Sequence, residues 1–323
     1  MVSAAGTSRL DERLRLKAMS AMRKWWLPAV PAAIVLALAG CVPGAGGPTA
    51  DPTGSSAAAG SPAPAAPTEV RIDKSYWFAG FKVTLGVARL VPSSFGDAKT
   101  VTIEGVFQNL SSEHPGTPTS HALLTVGDRT YAEPDHPLSD LREVPPQRSQ
   151  PGVYAFAVDE HFALADAVLV VGTPANRQAT IPFTGPDGLV ALEPRPLSVT
   201  GKVLADKTGS IFMTVASAEV RADEPLLHGE APTGKEFLQL KFSATNKTDA
   251  GFAWVFDRDL HLKLPDGTSI ATADNCSRAQ IYPAPHATAD GGFACFLVPA
   301  PAGGEYLLSW HRYEKGALRV PVN

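Results

Sequence analysis

From residue 68 to the end, apolar residues recur in short runs or in alternation with polar ones, and Gly, Pro, Asn or Asp bounds each run. The clearest are Phe81-Lys-Val-Thr-Leu-Gly-Val-Ala88, Val101-Thr-Ile-Glu-Gly-Val-Phe107, Ala122-Leu-Leu-Thr-Val126, Val153-Tyr-Ala-Phe-Ala-Val158 and Ala167-Val-Leu-Val-Val171. The second half continues with Ile211-Phe-Met-Thr-Val215, Phe237-Leu-Gln-Leu-Lys-Phe242, Leu260-His-Leu-Lys-Leu264, Phe293-Ala-Cys-Phe-Leu-Val298 and Tyr306-Leu-Leu-Ser-Trp310. Successive side chains leave a strand on opposite faces, so alternation marks a strand with one face buried. No long segment with helical periodicity follows residue 67. Short strands punctuated by turn residues predict an all-β chain built as sandwiches or barrels.

The two sets of strands align with each other. Lys82–Ala88 matches Phe212–Ala218, Val106–Asn109 matches Ser243–Asn246, and Leu124–Thr130 matches Leu262–Thr268. Tyr154–Val158 matches Ala294–Val298, and Ala179–Pro182 matches Leu318–Pro321. The offset grows only from 130 to 140 residues. Two tandem copies of one domain explain this most economically, each of about 125 residues, an ordinary domain size. The boundary falls in the proline-rich stretch Leu192–Pro196, which gives domains over 68–193 and 194–323.

The second copy carries Thr233-Gly-Lys-Glu-Phe-Leu-Gln-Leu240, a strand ending in Asn246-Lys-Thr248, and Asp259-Leu-His-Leu-Lys-Leu-Pro-Asp-Gly267. This order resembles the immunoglobulin-like domain of unknown function found in Gram-positive lipoproteins, which is similar in fold to a secreted mycobacterial antigen. The resemblance covers 196–323 well and 70–190 loosely, because the first copy lacks the Gly-Lys step. It implies two tandem immunoglobulin-like β-sandwiches and assigns no activity to any residue.

The N-terminus has a different pattern. Arg23 and Lys24 precede a 16-residue apolar run, Trp25–Gly40, which ends in Leu38-Ala39-Gly40-Cys41. A basic start, a short apolar stretch and small residues before a cut site mark a secretory signal peptide over 1–40. The run is shorter than the roughly 20 residues of a comfortable membrane span. It also contains Pro28 and Pro31. Leu-Ala-Gly-Cys resembles the lipobox of bacterial prolipoproteins. That resemblance implies a lipidated Cys41 as the mature N-terminus and a membrane contact through the lipid anchor. The protein would then sit on the outer face of the cytoplasmic membrane, extracellular. Residues 42–67 are rich in Gly, Pro, Ala, Ser and Thr with one charge, Asp51, and read as a disordered linker. As a flexible coil they would reach roughly 25–30 Å.

Charge and cysteine usage sharpen this picture. Residues 1–41 carry six Lys/Arg and two Asp/Glu, which leaves 22 basic and 30 acidic residues downstream, a net charge of −8. An acidic chain without a basic stripe is a poor candidate for nucleic-acid binding, so no nucleic-acid partner is expected. Of the three cysteines, Cys41 is taken by lipid, and Cys276 and Cys295 remain as an even pair in an oxidising compartment, where a disulfide is expected.

Candidate chemistry is sparse. There is no GxSxG elbow, Ser-x-x-Lys, phosphate loop or HExxH, so no enzyme and no cofactor are expected. His114, His121 and His136, beside Glu133 and Asp135, are weak candidates for a metal site, since they lack the spacing of metal ligands. His228, His261, His286 and His311 stand apart; His261, between Leu260 and Leu262, should face solvent from a strand. Asn109-Leu-Ser111 and Asn246-Lys-Thr248 match a glycosylation sequon, but their equivalent places point to turns in which Asn bonds the backbone two residues on. Phe252, Trp254 and Phe256 share a face at period two and belong to a core. The functional expectation is a non-catalytic surface lipoprotein that binds a protein or an envelope component. The alternative is a solute- or metal-binding lipoprotein that assists a transporter. A pocket between the two copies is the place to look for the site.

Overall fold

A computed structural model describes residues 67–92, 99–118, 121–133, 139–274, 276, 280–311 and 313–322. Cys41, residues 42–66 of the expected linker, and Asp135 and His136 lie outside these residues. The described chain is mostly strand, in antiparallel sheets. Among the described residues no helix is long and apolar enough to cross a membrane.

The first half begins with β1 (Glu69–Phe78), β2 (Phe81–Pro92), β3 (Lys99–Asn109) and β6 (Ser149–Val158), which form one sheet in the order β1-β2-β3-β6. β4 (Ala122–Val126), β5 (Arg129–Ala132), β7 (Val168–Val171) and β8 (Ala179–Pro182) form a second, in the order β5-β4-β7-β8. The inward faces of both sheets feed one core that includes Tyr76, Phe107, Leu124, Tyr154, Phe156, Leu169 and Ile181. Within it the hydroxyls of Tyr76 and Tyr154 pair at 2.8 Å, so neither is stranded in apolar surroundings.

The second half repeats the connectivity. β9 (Arg195–Leu197) and β10 (Lys202–Leu204) both pair with β11 (Ile211–Arg221); β14 (Lys235–Asn246) and β19 (Ala287–Pro299) complete the order β10-β11-β14-β19. β16 (Leu260–Lys263), β17 (Ser269–Ala271), β20 (Gly304–Trp310) and β21 (Leu318–Val322) form a sheet in the order β17-β16-β20-β21. Each strand takes the place of its counterpart, β11 for β2, β14 for β3, β19 for β6, and β16, β20 and β21 for β4, β7 and β8. Even the irregularities correspond. The β2–β3 ladder shifts register between Leu85 and Ala88, and the β11–β14 ladder shifts between Val215 and Ser217. A bulge adds local twist, so both large sheets bend at the same point.

The second core is separate from the first and holds Met213, Leu240, Phe242, Trp254, Phe256, Phe296, Leu308 and Trp310. Trp254 and Trp310 meet edge to face, 4.5 Å between centroids, and Phe252 packs on both. The strand expected from the Phe252–Phe256 alternation is interrupted. Trp254–Val255 forms β15, which pairs with β18 (Gln280–Ile281), and Phe256–Asp259 makes one helical turn, α1. The turn keeps Trp254 and Phe256 buried while Asp259 bonds Arg258 and lies 3.3 Å from His311.

The core residues change over between Leu192, packed on the first core, and Leu197, packed on the second. A small hairpin leaves the second half at this junction, β12 (Asp223–Glu224) with β13 (Gly229–Glu230).

Candidate functional site

The β12–β13 hairpin is the part of the chain that joins the halves. Its sequence, Asp223-Glu-Pro-Leu-Leu-His-Gly-Glu230, carries three carboxylates, yet Asp223 and Glu224 are only 1% and 2% exposed. Buried carboxylates need partners, and each has them. One oxygen of Asp223 accepts from Arg221 Nε at 2.9 Å and lies 2.8 Å from Arg221 Nη2 as an ion pair. The other accepts the backbone N–H of Gly80, from the first half, at 2.7 Å. Glu224 accepts the N–H groups of Leu226 and Leu227 at 2.7 and 2.8 Å, which closes the hairpin turn. Burial pushes both carboxyls above their ordinary range, against the pull of these donors.

The contact continues on either side. His228, at positive φ, stacks on Phe81 at 5.1 Å, and its Nε2 lies 3.1 Å from Asn109 Oδ1. The Asn109 amide nitrogen donates to the carbonyls of His114 and Val144, so its oxygen must be the acceptor and His228 Nε2 must carry the proton. A Cβ on Gly116 would meet the His228 ring at 2.5 Å, so only Gly fits there. Burial and nearby His114 lower the His228 pKa, while Asp223 opposes them. Farther along, Asn176 donates to Glu230, Arg177 N–H to the Ala231 carbonyl, and Thr233 N–H to the Ala175 carbonyl. Glu236 pairs with Arg177 of the first half and with Arg195.

Beside this lattice a cleft of about 710 Å³ opens at the junction. Its floor is the outer face of the β11–β14–β19 sheet, with Glu219, Arg221, Gln239, Lys241, Ser243 and Phe293. Its wall comes from Leu110, Ser111, Ser112 and Gln147 of the first half and from Pro225 and Leu226 of the hairpin. Gln147 pins the wall by donating to the Leu110 and Ser111 carbonyls, and Ser111 Oγ donates to the Leu226 carbonyl. The volume lies within the ~300–1,000 Å³ typical of small-ligand sites.

The residues singled out from sequence have mixed placements. Cys276 and Cys295 are buried, 5.8 Å apart at Cα with sulfurs in bonding contact, and pack on Ala231 and Phe237. His114 and His121 are both exposed on the first half; each influences a hairpin group, His228 and Glu230 respectively. Among the described residues no group of three His, Cys, Asp or Glu could hold a metal. His261 is half-buried between the buried Leu260 and Leu262. His228 stands apart in the sequence, and the hairpin's only local signal is three acidic residues, Asp223, Glu224 and Glu230, without strand alternation.

Asn109 and Asn246 are fully buried and end β3 and β14. Each accepts the backbone N–H two residues on, from Ser111 at 2.8 Å and Thr248 at 3.0 Å. Their amide nitrogens are committed to carbonyls, so the sequons are turn elements. No family model, curated protein or solved structure matches the chain.

Proposed function

We propose that the chain is a non-catalytic binding protein with two tandem immunoglobulin-like sandwiches. It is anchored through Cys41 on the outer face of the cytoplasmic membrane and takes a protein or envelope component at the junction cleft. The observation that carries this reading is the cleft itself, walled by both halves and braced by the Asp223–Arg221–Gly80 contact. A site that needs both halves gives a reason for their fixed contact, beyond the stability of either core. The lipobox and the linker supply the anchor and the reach. The Cys276–Cys295 pair suits an oxidising compartment, where a disulfide persists.

The test is site-specific photo-crosslinking in intact envelopes, with the probe at Ser112 on the cleft wall or at Glu305 on β20. Capture of an envelope component from Ser112 and not from Glu305 is the expected result. Equal capture from both, or from neither, would defeat the reading.

A further inference from the structure

We infer that the junction cleft binds a saccharide chain, an assignment that rests on the cleft being the binding site. The lining separates into groups already committed and groups left over. Arg221 Nε, Gln239, Glu224 and Ser111 spend hydrogen bonds on the lattice at the junction, while Arg221 Nη2 is in ion-pair contact with Asp223 without a hydrogen bond. Lys241, Ser243, Asp290 and Ser112 line the same cleft, and none of these four side chains has a hydrogen bond or ion pair among the described residues. They are a donor, an acceptor and two hydroxyls that do both.

An apolar platform stands among them. Lys241 of β14 and Phe293 of β19 are directly opposed in the ladder, so they sit side by side on the cleft floor. The face of an aromatic ring is negatively polarised and attracts polarised C–H groups. A sugar ring offers both halves of this match. Its C–H face covers Phe293, and its rim of hydroxyls donates to Asp290 and accepts from Lys241.

A peptide fits less well. An extended peptide gains most by adding to a free strand edge, where the ladder satisfies its backbone. Here the floor is a sheet face, and the nearest edge is bulged. Asp290 and Gly291 of β19 together oppose Ser243, and Gly291 has a φ of 87°. Such a bulge twists an edge away from further pairing. A peptide lying on the face would leave its own N–H and C=O groups to four side chains.

The experiment uses the full chain in detergent on two probe sets: immobilised short oligosaccharides of neutral hexoses, N-acetylhexosamines and uronic acids, and short peptides of mixed sequence. The saccharide set should bind and the peptides should not. Asp290→Ala and Lys241→Ala should each weaken binding about tenfold, the worth of one charge-assisted hydrogen bond. Phe293→Ala should weaken it at least as much. Because Phe293 also packs near Cys276 and Cys295, the two exposed positions keep the test independent of folding. Glu305→Gln, outside the cleft, should change nothing. Peptide binding that the same variants abolish overturns the saccharide class and leaves the cleft standing. Saccharide binding that none of them alters overturns the location. Silence from both sets overturns the saccharide assignment, and crosslinking at Ser112 then tells whether the broader reading fails as well.

Discussion

At the scale of single residues, the polar groups that matter most are buried ones with every valence used. Asn109 and Asn246 are the clearest pair. Asn109→Ala would strand the His114 carbonyl and the Ser111 N–H, while the Val144 carbonyl keeps the Gly116 N–H; at about 1–3 kcal/mol for each stranded group, a loss of about 2–6 kcal/mol is expected in denaturant titration. Asn246→Ala should behave alike, since its amide holds the Ala250 carbonyl and Thr248 N–H. A loss under about half a kcal/mol, the level of an ordinary surface change, would mean that these turns close without the side chain. This role was legible in the chain, because two Asn at matching places ahead of Ser and Thr had one simple cause. His228 was not legible, because its partners Phe81 and Asn109 are more than a hundred residues away. It also sets a pH dependence. Its pKa is lowered from 6.5 on folding, so its contribution is complete above about 6.5 and is lost as pH falls through the lowered folded value. Asp223, Glu224 and Glu230 act in the opposite sense, since their raised pKa values favour the folded state as acid is added. Melting temperature should therefore drop between pH 7 and 5 less in His228→Asn, or even rise, relative to its own value at pH 7. Asn tolerates the left-handed backbone there. Parallel curves for the two proteins would remove His228 as the cause.

At the scale of elements, strands with one buried face were readable from alternation, and the correspondence between halves from their matching order. Two elements were not. α1 replaces a strand although Phe252, Trp254 and Phe256 keep period two, because tertiary contact decides where a short aromatic run turns. The β12–β13 hairpin is two residues per strand, too short for any period. Its charges predict solvent, and they are buried because the first half covers them. The Cys276–Cys295 pair stands at the back of this hairpin, against Ala231, whose carbonyl receives the Arg177 N–H. Joining residues 19 apart restrains the unfolded chain by about 3 kcal/mol in the chain-entropy model. Cys276→Ser with Cys295→Ser should therefore lower stability by about that amount. Amide exchange should also quicken in the hairpin as well as near Cys276. Faster exchange near Cys276 alone would show that the hairpin does not depend on the pair.

At the scale of the molecule, the two cores share no residue, and the halves meet through hydrogen bonds, ion pairs and the Phe81–His228 stack. That arrangement suits a site in which one half presents a wall and the other a floor, provided the whole is held where its ligand is. On the proposed reading a lipobox at Cys41 supplies that last condition, and it is separable from folding. Cys41 lies 26 residues before the first described residue, and the earliest side chain packed on the first core is Val70. Cys41→Ser should then leave the unfolding curve of the sandwiches unchanged while abolishing the anchor. Two acyl chains hold a protein on a membrane where one is marginal, so removing the acceptor thiol should shift the protein wholesale from the membrane fraction to the medium. Its partition into a detergent phase should vanish with it. The net charge of −8 after residue 41 strengthens the expectation, because an acidic chain is repelled by anionic lipid once the acyl chains are gone. If Cys41→Ser stays in the membrane fraction through a high-salt wash, the apolar run Trp25–Gly40 is itself the anchor. The cleft would then be presented from an uncleaved N-terminal segment, still at the membrane but without lipid.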